Sequence, residues 1–172
     1  MNNVKLVVFT DASLEEGDSL GRIGLVAYLV IGGEISSKFF FSDIVPRDIM
    51  RAWQTRTHKI ISTLELWAAV AGVYLLGSRF PALRTFAFVD NEAARASMIS
   101  FASSVSTHAC MLKFLSRVVQ LHSIFLWTAR VPSASNPADR PSREEPIGME
   151  AEGFVRLMVP WDLARHSFVP MG

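Results

Sequence analysis

The chain has 172 residues and a mass of 19.1 kDa, a length that suits one domain or at most a small pair. Half of its residues are hydrophobic and 19% are charged, so it can bury a sizeable core and is not predominantly disordered. The single cysteine, Cys110, excludes an internal disulfide and a cysteine-rich zinc site. It is compatible with a reducing, intracellular compartment. The longest apolar run, Leu66–Leu76, is shorter than the 18 or so residues of a membrane span, and no membrane partner is expected.

The net charge of +1 hides an uneven distribution of charges along the chain. Residues 1–45 and 144–172 each carry a net charge of −3, whereas residues 46–143 carry +7. Thirteen of the 17 cations are arginines, whose planar guanidinium group matches the geometry of phosphate. This basic middle suits a polyanionic partner such as a nucleic acid, although solvated arginines on ordinary helices would give the same count.

Runs of apolar and β-branched residues predict five strands. The predicted strands are Val4–Thr10, Ile23–Ile31, Ile35–Phe41, Thr85–Val89 and Ser123–Ala129. Short turns join the first three strands, with Gly32 and Gly33 in a hairpin turn, and this predicts an antiparallel meander.

Longer segments with helical patterns lie between and after these strands. One helix is predicted from Ser62 or Thr63 to about Gly77, and Ser62 with Glu65 forms a capping-box pattern at its start. Two more are predicted over Asn91–Ile99 and Ala109–Leu121. The resulting order, β-β-β-α-β-α-α-β followed by a loop, predicts an α/β domain with a mixed sheet. Its first, fourth and fifth strands can lie parallel.

The remaining segments are assigned from their composition. Pro46–Lys59 is expected to be a basic connector that contains Trp53. Phe154–Val159 is expected to be helix-like. We predict one main domain over residues 1–145, with residues 146–172 as a C-terminal helix and tail packed on it.

Four acidic residues have settings that favour a functional role. Asp11 interrupts or ends an apolar strand, where a carboxylate is costly unless it is paired or bound to a metal. Asp90 ends the fourth strand, and ligands of open α/β sheets usually bind at the C-terminal ends of strands. Glu65 lies in an apolar helical segment, and Asp139 lies in a proline-containing loop.

Each of three carboxylates also has a structural explanation. Asp90 could cap the following helix, Glu65 could belong to the capping box, and Asp139 could stabilise a turn. Jointly, however, four carboxylates on one sheet, one helix and one loop would repel one another unless divalent cations neutralised them. That setting is typical of two-metal phosphoryl chemistry.

Four segments resemble a known family. TDAS (10–13), STLELWAA (62–69), FVDNEAAR (88–95) and VPSASNPADRPSR (131–143) are similar, in this order, to the ribonuclease H domain attached to reverse transcriptases of retroelements. The resemblance covers about residues 4–143. It implies a ribonuclease H-like α/β fold, in which helices flank a five-stranded mixed sheet of order 3-2-1-4-5. It also implies endonucleolytic cleavage of RNA that is paired with DNA.

The resemblance also implies the site residues and the cofactor. Asp11, Glu65, Asp90 and Asp139 would be the catalytic, metal-binding carboxylates. They would hold two Mg²⁺ ions about 3.5–4 Å apart, and Mn²⁺ could substitute. Magnesium is favoured over zinc because every expected ligand atom is oxygen. Asp11 would bridge the two ions, one of which would activate water while the other would stabilise the leaving oxygen.

Five further residues are candidates for substrate binding. Ser13 and Asn91 lie beside expected ligands and could bond phosphates or the 2′-hydroxyls that mark RNA. Asn136, Arg140 and Arg143 could contact backbone phosphates, with solvated or ion-paired arginines as the alternative. The expected partners are an RNA/DNA hybrid and a reverse transcriptase polymerase domain, which the chain is too short to include.

Two other functions remain open at this stage. One is a DNA-directed nuclease of the same fold. The other is a catalytically weak or inactive ribonuclease H-like scaffold in a larger nucleic-acid assembly. The scaffold is compatible with the lack of histidine in Val131–Ala138, where many members of the family have one. Retention of all four carboxylates favours the enzyme.

Overall fold

A computed structural model describes residues 3–15, 17 and 20–168. The strands in this part of the chain are β1 (Val4–Leu14), β2 (Gly21–Ile31), β3 (Glu34–Ile44), β4 (Arg84–Val89), β5 (Phe125–Arg130) and β6 (Phe154–Arg156). The helices are α1 (Arg47–Gln54), α2 (Ile60–Arg79), α3 (Glu92–Ser100), α4 (Ser106–Leu121), α5 (Asp139–Arg143) and α6 (Trp161–Phe168). A short 3-10 helix covers Ser133–Ser135.

The six strands form one mixed sheet of order β5-β4-β1-β2-β3-β6. Strands β1, β2 and β3 are antiparallel neighbours, and β1, β4 and β5 run parallel. The predicted α/β class and the order 3-2-1-4-5 are therefore confirmed. The sequence did not predict the sixth strand, which extends the sheet at β3.

Two local predictions are wrong. Phe154–Val159 is not helical, because its first three residues pair in parallel with Lys38–Phe40 of β3 and the helix begins only at Trp161. The connector Pro46–Lys59 contains helix α1, which buries Trp53 together with Ile49 and Met50. These three apolar residues lie on one helical face, and the charged residues around them obscure that pattern in the sequence.

Helix α2 is the centre of the core. It packs on β1 and β2 and against α4, and fifteen of its residues are buried. By length and composition alone this 20-residue helix could cross a membrane, but 83% of its apolar window is buried inside the fold. Its apolar character is therefore explained by core packing.

The opposite face of the sheet is covered only in part. Helix α5 packs over one end of β1, β2 and β3. Met149, in the segment before β6, packs on Val26 and Phe40. Both elements lie on the β2 and β3 side of the sheet, so the same face of β4 and β5 has no covering element in the part of the chain that the structure describes.

Candidate active site

The four predicted carboxylates come together at one end of the sheet. Asp11 lies in β1, Glu65 in the second turn of α2, Asp90 directly after β4 and Asp139 at the start of α5. All four line one cleft of about 240 Å³. The other residues that line it are Ala12, Ile61, Asn91, Ser133 and Arg143. Four separate elements thus deliver acidic side chains to a single cavity.

Asp11 lies inside a strand, because β1 continues for three residues beyond it to Leu14. Its side chain is 9% exposed, and its Oδ2 accepts a hydrogen bond of 2.8 Å from the hydroxyl of Ser142 in α5. Burial raises the pKa of Asp11 above its ordinary value, and the hydrogen bond from Ser142 acts in the opposite direction. This carboxylate is therefore costly to ionise in the absence of a cation.

Glu65 does not take part in a capping box. Helix α2 begins at Ile60, so Ser62 lies inside it, and Oε1 of Glu65 instead accepts a hydrogen bond of 3.2 Å from the backbone N–H of Ala12. Oε2 is buried and accepts no hydrogen bond from the described residues, while a proton on Glu65 can be shared with the carboxylate of Asp11. Burial, and then the charge of Asp11, raise the pKa of Glu65 to about 9. An acidic group with one unsatisfied buried oxygen matches the needs of a cation ligand.

Asp90 is not the cap of α3. Asn91 takes that role, because its Oδ1 accepts a hydrogen bond of 2.9 Å from the N–H of Ala94. Asp90 instead accepts a hydrogen bond from the hydroxyl of Ser133, and its Oδ1 lies 3.8 Å from Nε of Arg130. Its carboxylate therefore faces the loop that follows β5.

Asp139 lies in the first turn of α5 and pairs with Arg143 of the same helix. The distance from Nε of Arg143 to Oδ1 of Asp139 is 2.8 Å. Both side chains line the cleft, although 66% of the Arg143 side chain is exposed. The pair puts a cation beside the acidic cluster, where it can meet a phosphate.

The structure separates the five candidate substrate-binding residues into two groups. Asn91 and Arg143 line the cleft. Asn136 is buried, and its side chain donates to the carbonyl of Thr10 at 3.0 Å and accepts from Ala138 N–H at 3.0 Å. This amide therefore ties the loop to β1.

The other two candidates also make contacts within the protein. The hydroxyl of Ser13 donates to the carbonyl oxygen of Ser142. Nη2 of Arg140 donates to the carbonyl of Ile147 at 3.2 Å, and Nε lies 3.6 Å from Glu144. Neither Ser13 nor Arg140 lines the cleft.

Two residues that sequence reasoning missed hold the site together. Ser142 is completely buried, and its Oγ lies 2.8 Å from both Oδ2 of Asp11 and the carbonyl oxygen of Asp139, so its one hydroxyl proton is shared between these two acceptors. Gly24 is the β2 partner of Asp11 in the sheet. A Cβ at Gly24 would lie 2.4 Å from the backbone N of Ser142, so only glycine lets α5 approach β2 this closely. Ser142 lies within the segment 131–143, but no spacing in the sequence signals its contact with Asp11.

The donor atoms of the cleft fit a hard divalent cation. All four side chains offer carboxylate oxygens, the ligands that Mg²⁺ prefers, and the buried Oε2 of Glu65 accepts no hydrogen bond within the described part of the chain. Among the described residues, no three acidic, histidine or cysteine side chains lie close enough together to hold a metal ion as placed. Asp90 accepts a hydrogen bond from Ser133 and Asp139 accepts one from Arg143, so an ion bound to these carboxylates would compete with those partners.

The sheet order and its flanking helices define a ribonuclease H-like fold. Solved structures with this fold include LC11 ribonuclease H1, isolated from compost by a metagenomic approach. Its sequence is 13% identical, the match covers 80% of this chain and 91% of that one, and the TM-score is 0.51. The structure of the same enzyme in complex with an RNA/DNA hybrid matches at 11% identity, with 79% and 92% coverage and a TM-score of 0.50. At these identities the likeness shows the fold alone. No protein-family model and no curated protein sequence matches the chain.

Proposed function

We propose that this chain is a metal-dependent endonuclease that hydrolyses the RNA strand of RNA/DNA hybrids. The observation that carries this proposal is the delivery of four carboxylates to one cleft by β1, α2, the end of β4 and α5. A cluster of this kind is unfavourable without cations. Burial first, and then the charge of Asp11, raise the pKa of Glu65, so this carboxylate is costly to ionise in the cleft. The complex of LC11 ribonuclease H1 with an RNA/DNA hybrid supports the same class of substrate.

The cleft residues take distinct parts in this function. Asp11, Glu65, Asp90 and Asp139 would hold two Mg²⁺ ions, which when bound supply an activated water and stabilise the charge on the leaving oxygen. Ser142 orients Asp11 through its hydrogen bond. Arg143 and Asn91 line the cleft beside the carboxylates, where Arg143 binds a substrate phosphate and Asn91 a phosphate or a 2′-hydroxyl.

The cellular setting forms part of the same proposal. The resemblance of segments 10–13, 62–69, 88–95 and 131–143 to retroelement ribonuclease H domains supports a role beside a reverse transcriptase polymerase domain inside the cell. Such a partner would add affinity for the hybrid.

One observation favours a catalytically weak scaffold as a second candidate. Arg130 lies beside Asp90 and Arg143 pairs with Asp139, so two of the four carboxylates already have cationic partners. A domain that keeps these pairs would bind nucleic acid without binding metal ions productively.

Cleavage of an end-labelled RNA/DNA hybrid by the purified chain tests the proposal. The reaction is run with Mg²⁺, with Mn²⁺ and with EDTA, beside Asp90→Asn and the control Asp162→Asn. Asp162 is 90% exposed on α6 and does not line the cleft. We expect metal-dependent cutting of only the RNA strand, retained in Asp162→Asn and lost in Asp90→Asn.

The other results distinguish the alternatives. Cutting of DNA duplexes at an equal rate would favour the DNA-directed nuclease. No cutting, with divalent-ion binding detected by calorimetry, would favour the scaffold or a requirement for the polymerase partner. No cutting and no ion binding would overturn the four-carboxylate site.

A further inference from the structure

The sheet has a surface of exposed aromatic side chains outside the cleft. Side chains alternate between the two faces along each strand. In β1 and β4, Leu6, Val8, Ala87 and Val89 point into the core. The side chains between them, with their partners in β5, make up the uncovered surface: Lys5, Val7, Phe9, Arg84, Phe86, Phe88, Phe125 and Trp127. We call this surface the open aromatic face.

Two of the five aromatic side chains of this face are highly exposed, whereas Phe9, Phe86 and Phe88 are half-buried. Phe125 is 67% exposed and Trp127 is 65% exposed, both on strand β5. Next to them, Phe9 and Phe88 stack with ring centroids 5.0 Å apart. Exposed aromatic side chains grouped on one face of a sheet are candidates for an interaction site.

The charge of the open aromatic face is positive. Lys5 and Arg84 are register partners on adjacent strands, and Nζ of Lys5 lies over the ring of Phe86 at 6.0 Å. Neither cation has an acidic partner within the described part of the chain. The side chains that form this face include no aspartate or glutamate. Unpaired cations beside accessible rings match a ligand that is both anionic and aromatic.

We propose that the open aromatic face binds single-stranded nucleic acid. The bases stack on Trp127 and Phe125, and the phosphates meet Lys5 and Arg84. A single strand fits better than a duplex, because its unpaired bases can present their faces to the rings. A second copy of this chain fits less well, because a two-fold interface through this face would bury Lys5 and Arg84 against a second positively charged surface.

The open aromatic face lies next to the cleft, so it could hold a strand outside the site of the proposed cleavage. Phe9 lies two residues before Asp11 on β1, and alternation along the strand puts both side chains on the same face of the sheet, so the open aromatic face borders the cleft. A strand that leaves the cleft across β1 and β4 would pass Phe9 and Phe88 and then reach Trp127 on β5. The binding itself does not require cleavage, so it can be tested separately.

The test is fluorescence anisotropy of a labelled oligouridylate of about 12 nucleotides with the whole chain in EDTA. We expect Trp127→Ala to weaken binding at least about fivefold and Trp127→Phe to weaken it less, because phenylalanine still stacks. Arg84→Glu should weaken binding and reduce its salt dependence. The control Leu121→Ala removes an equally exposed apolar residue at the end of α4, 78% exposed, and should bind as wild type.

Intrinsic fluorescence gives a second readout. Trp53 and Trp67 are fully buried, whereas Trp127 is the most exposed tryptophan in the described chain. Quenching of wild type by the oligonucleotide should therefore be lost in Trp127→Ala, whose fold is checked by circular dichroism. Unchanged affinity in both Trp127→Ala and Arg84→Glu would overturn the proposal. A dimer in sedimentation that Trp127→Ala dissociates, without oligonucleotide binding, would overturn it in favour of a second copy.

Discussion

The hydroxyl of Ser142 donates a hydrogen bond of 2.8 Å to Oδ2 of Asp11, and this contact joins helix α5 to strand β1. The same hydroxyl oxygen lies 2.8 Å from the carbonyl oxygen of Asp139, so its single proton is shared between the two acceptors. One buried hydroxyl therefore contacts the carboxylate of Asp11 and the backbone of Asp139, and so helps to fix the positions of both residues. Ser142 itself does not line the cleft.

Ser142→Ala should lower the turnover of hybrid cleavage while leaving the KM for the hybrid nearly unchanged. The substitution removes an orienting contact to Asp11 without altering the lining of the cleft. It should also lower the free energy of unfolding by about 1–3 kcal/mol, because a buried carboxylate loses a partner. Initial rates and urea denaturation measure both effects.

The control for this variant is Ser135→Ala, in the exposed 3-10 turn before α5. It should match wild type in turnover and stability. Equal turnover in Ser142→Ala and wild type would show that the hydroxyl does not position Asp11 for cleavage.

Gly24→Ala should displace α5 and so reduce both stability and cleavage. The added Cβ would lie 2.4 Å from the backbone N of Ser142 and 2.6 Å from the carbonyl carbon of Pro141, and backbone atoms cannot move aside as a flexible side chain can. Gly24 does not have a positive φ, so the effect is steric and not conformational. The melting temperature and the cleavage rate report it.

Gly32→Ala is the comparison for this effect. Gly32 has a φ of 62°, and no atom of the described residues lies within 4 Å of an added Cβ, so alanine there costs only the left-handed conformation, about 1–2 kcal/mol. It should leave cleavage unchanged in the folded protein. A Gly24→Ala variant as active as Gly32→Ala would show that the approach of α5 to β2 does not matter for the site.

The sequence predicted which carboxylates would come together better than it predicted their contacts. The four carboxylates follow from recognisable segments, but Ser142 and Gly24 act through a β1–β2 register and a helix approach that no short pattern records. The predicted capping box is not formed, and the carboxylate of Glu65 instead accepts a hydrogen bond from the N–H of Ala12. These two residues are 53 positions apart in the sequence. Tertiary contacts of this kind override local motifs.

The sheet, too, was predicted only in part from the sequence. The resemblance gave the order of five strands, whereas β6 is only three residues long and exists because the edge of β3 offers unpaired backbone groups. Phe154–Val159 alone carries too little periodicity to separate a strand from a helix.

Glu65 should make the folded state less stable as the pH rises when no divalent cation is present. Its pKa is about 9 in the folded protein against an ordinary value of 4.5. Between these values the folded state keeps a proton that the unfolded state has released, so stability falls with increasing pH. In EDTA, Glu65→Gln should therefore be more stable than wild type at pH 8, by a margin that grows from pH 5 to pH 9.

The difference in stability between Glu65→Gln and wild type is measured by thermal unfolding across this pH range. Glu34→Gln, on the exposed hairpin between β2 and β3, should follow the wild-type curve. A constant difference between Glu65→Gln and wild type from pH 5 to pH 9 would contradict the raised pKa.

Arg143 and Arg140 should differ in their effect on hybrid binding, although they lie three residues apart. Arg143 lines the cleft beside Asp139, whereas Arg140 is turned towards Ile147 and Glu144. Arg143→Ala should weaken hybrid binding and reduce the salt slope by about one, as the loss of one phosphate contact requires. Arg140→Ala serves as the matched control and should bind as wild type. Titrations at several salt concentrations in Ca²⁺ or EDTA, which separate binding from cleavage, measure the slope. Equal losses in the two variants would mean that the phosphates run along the outside of α5 and not through the cleft.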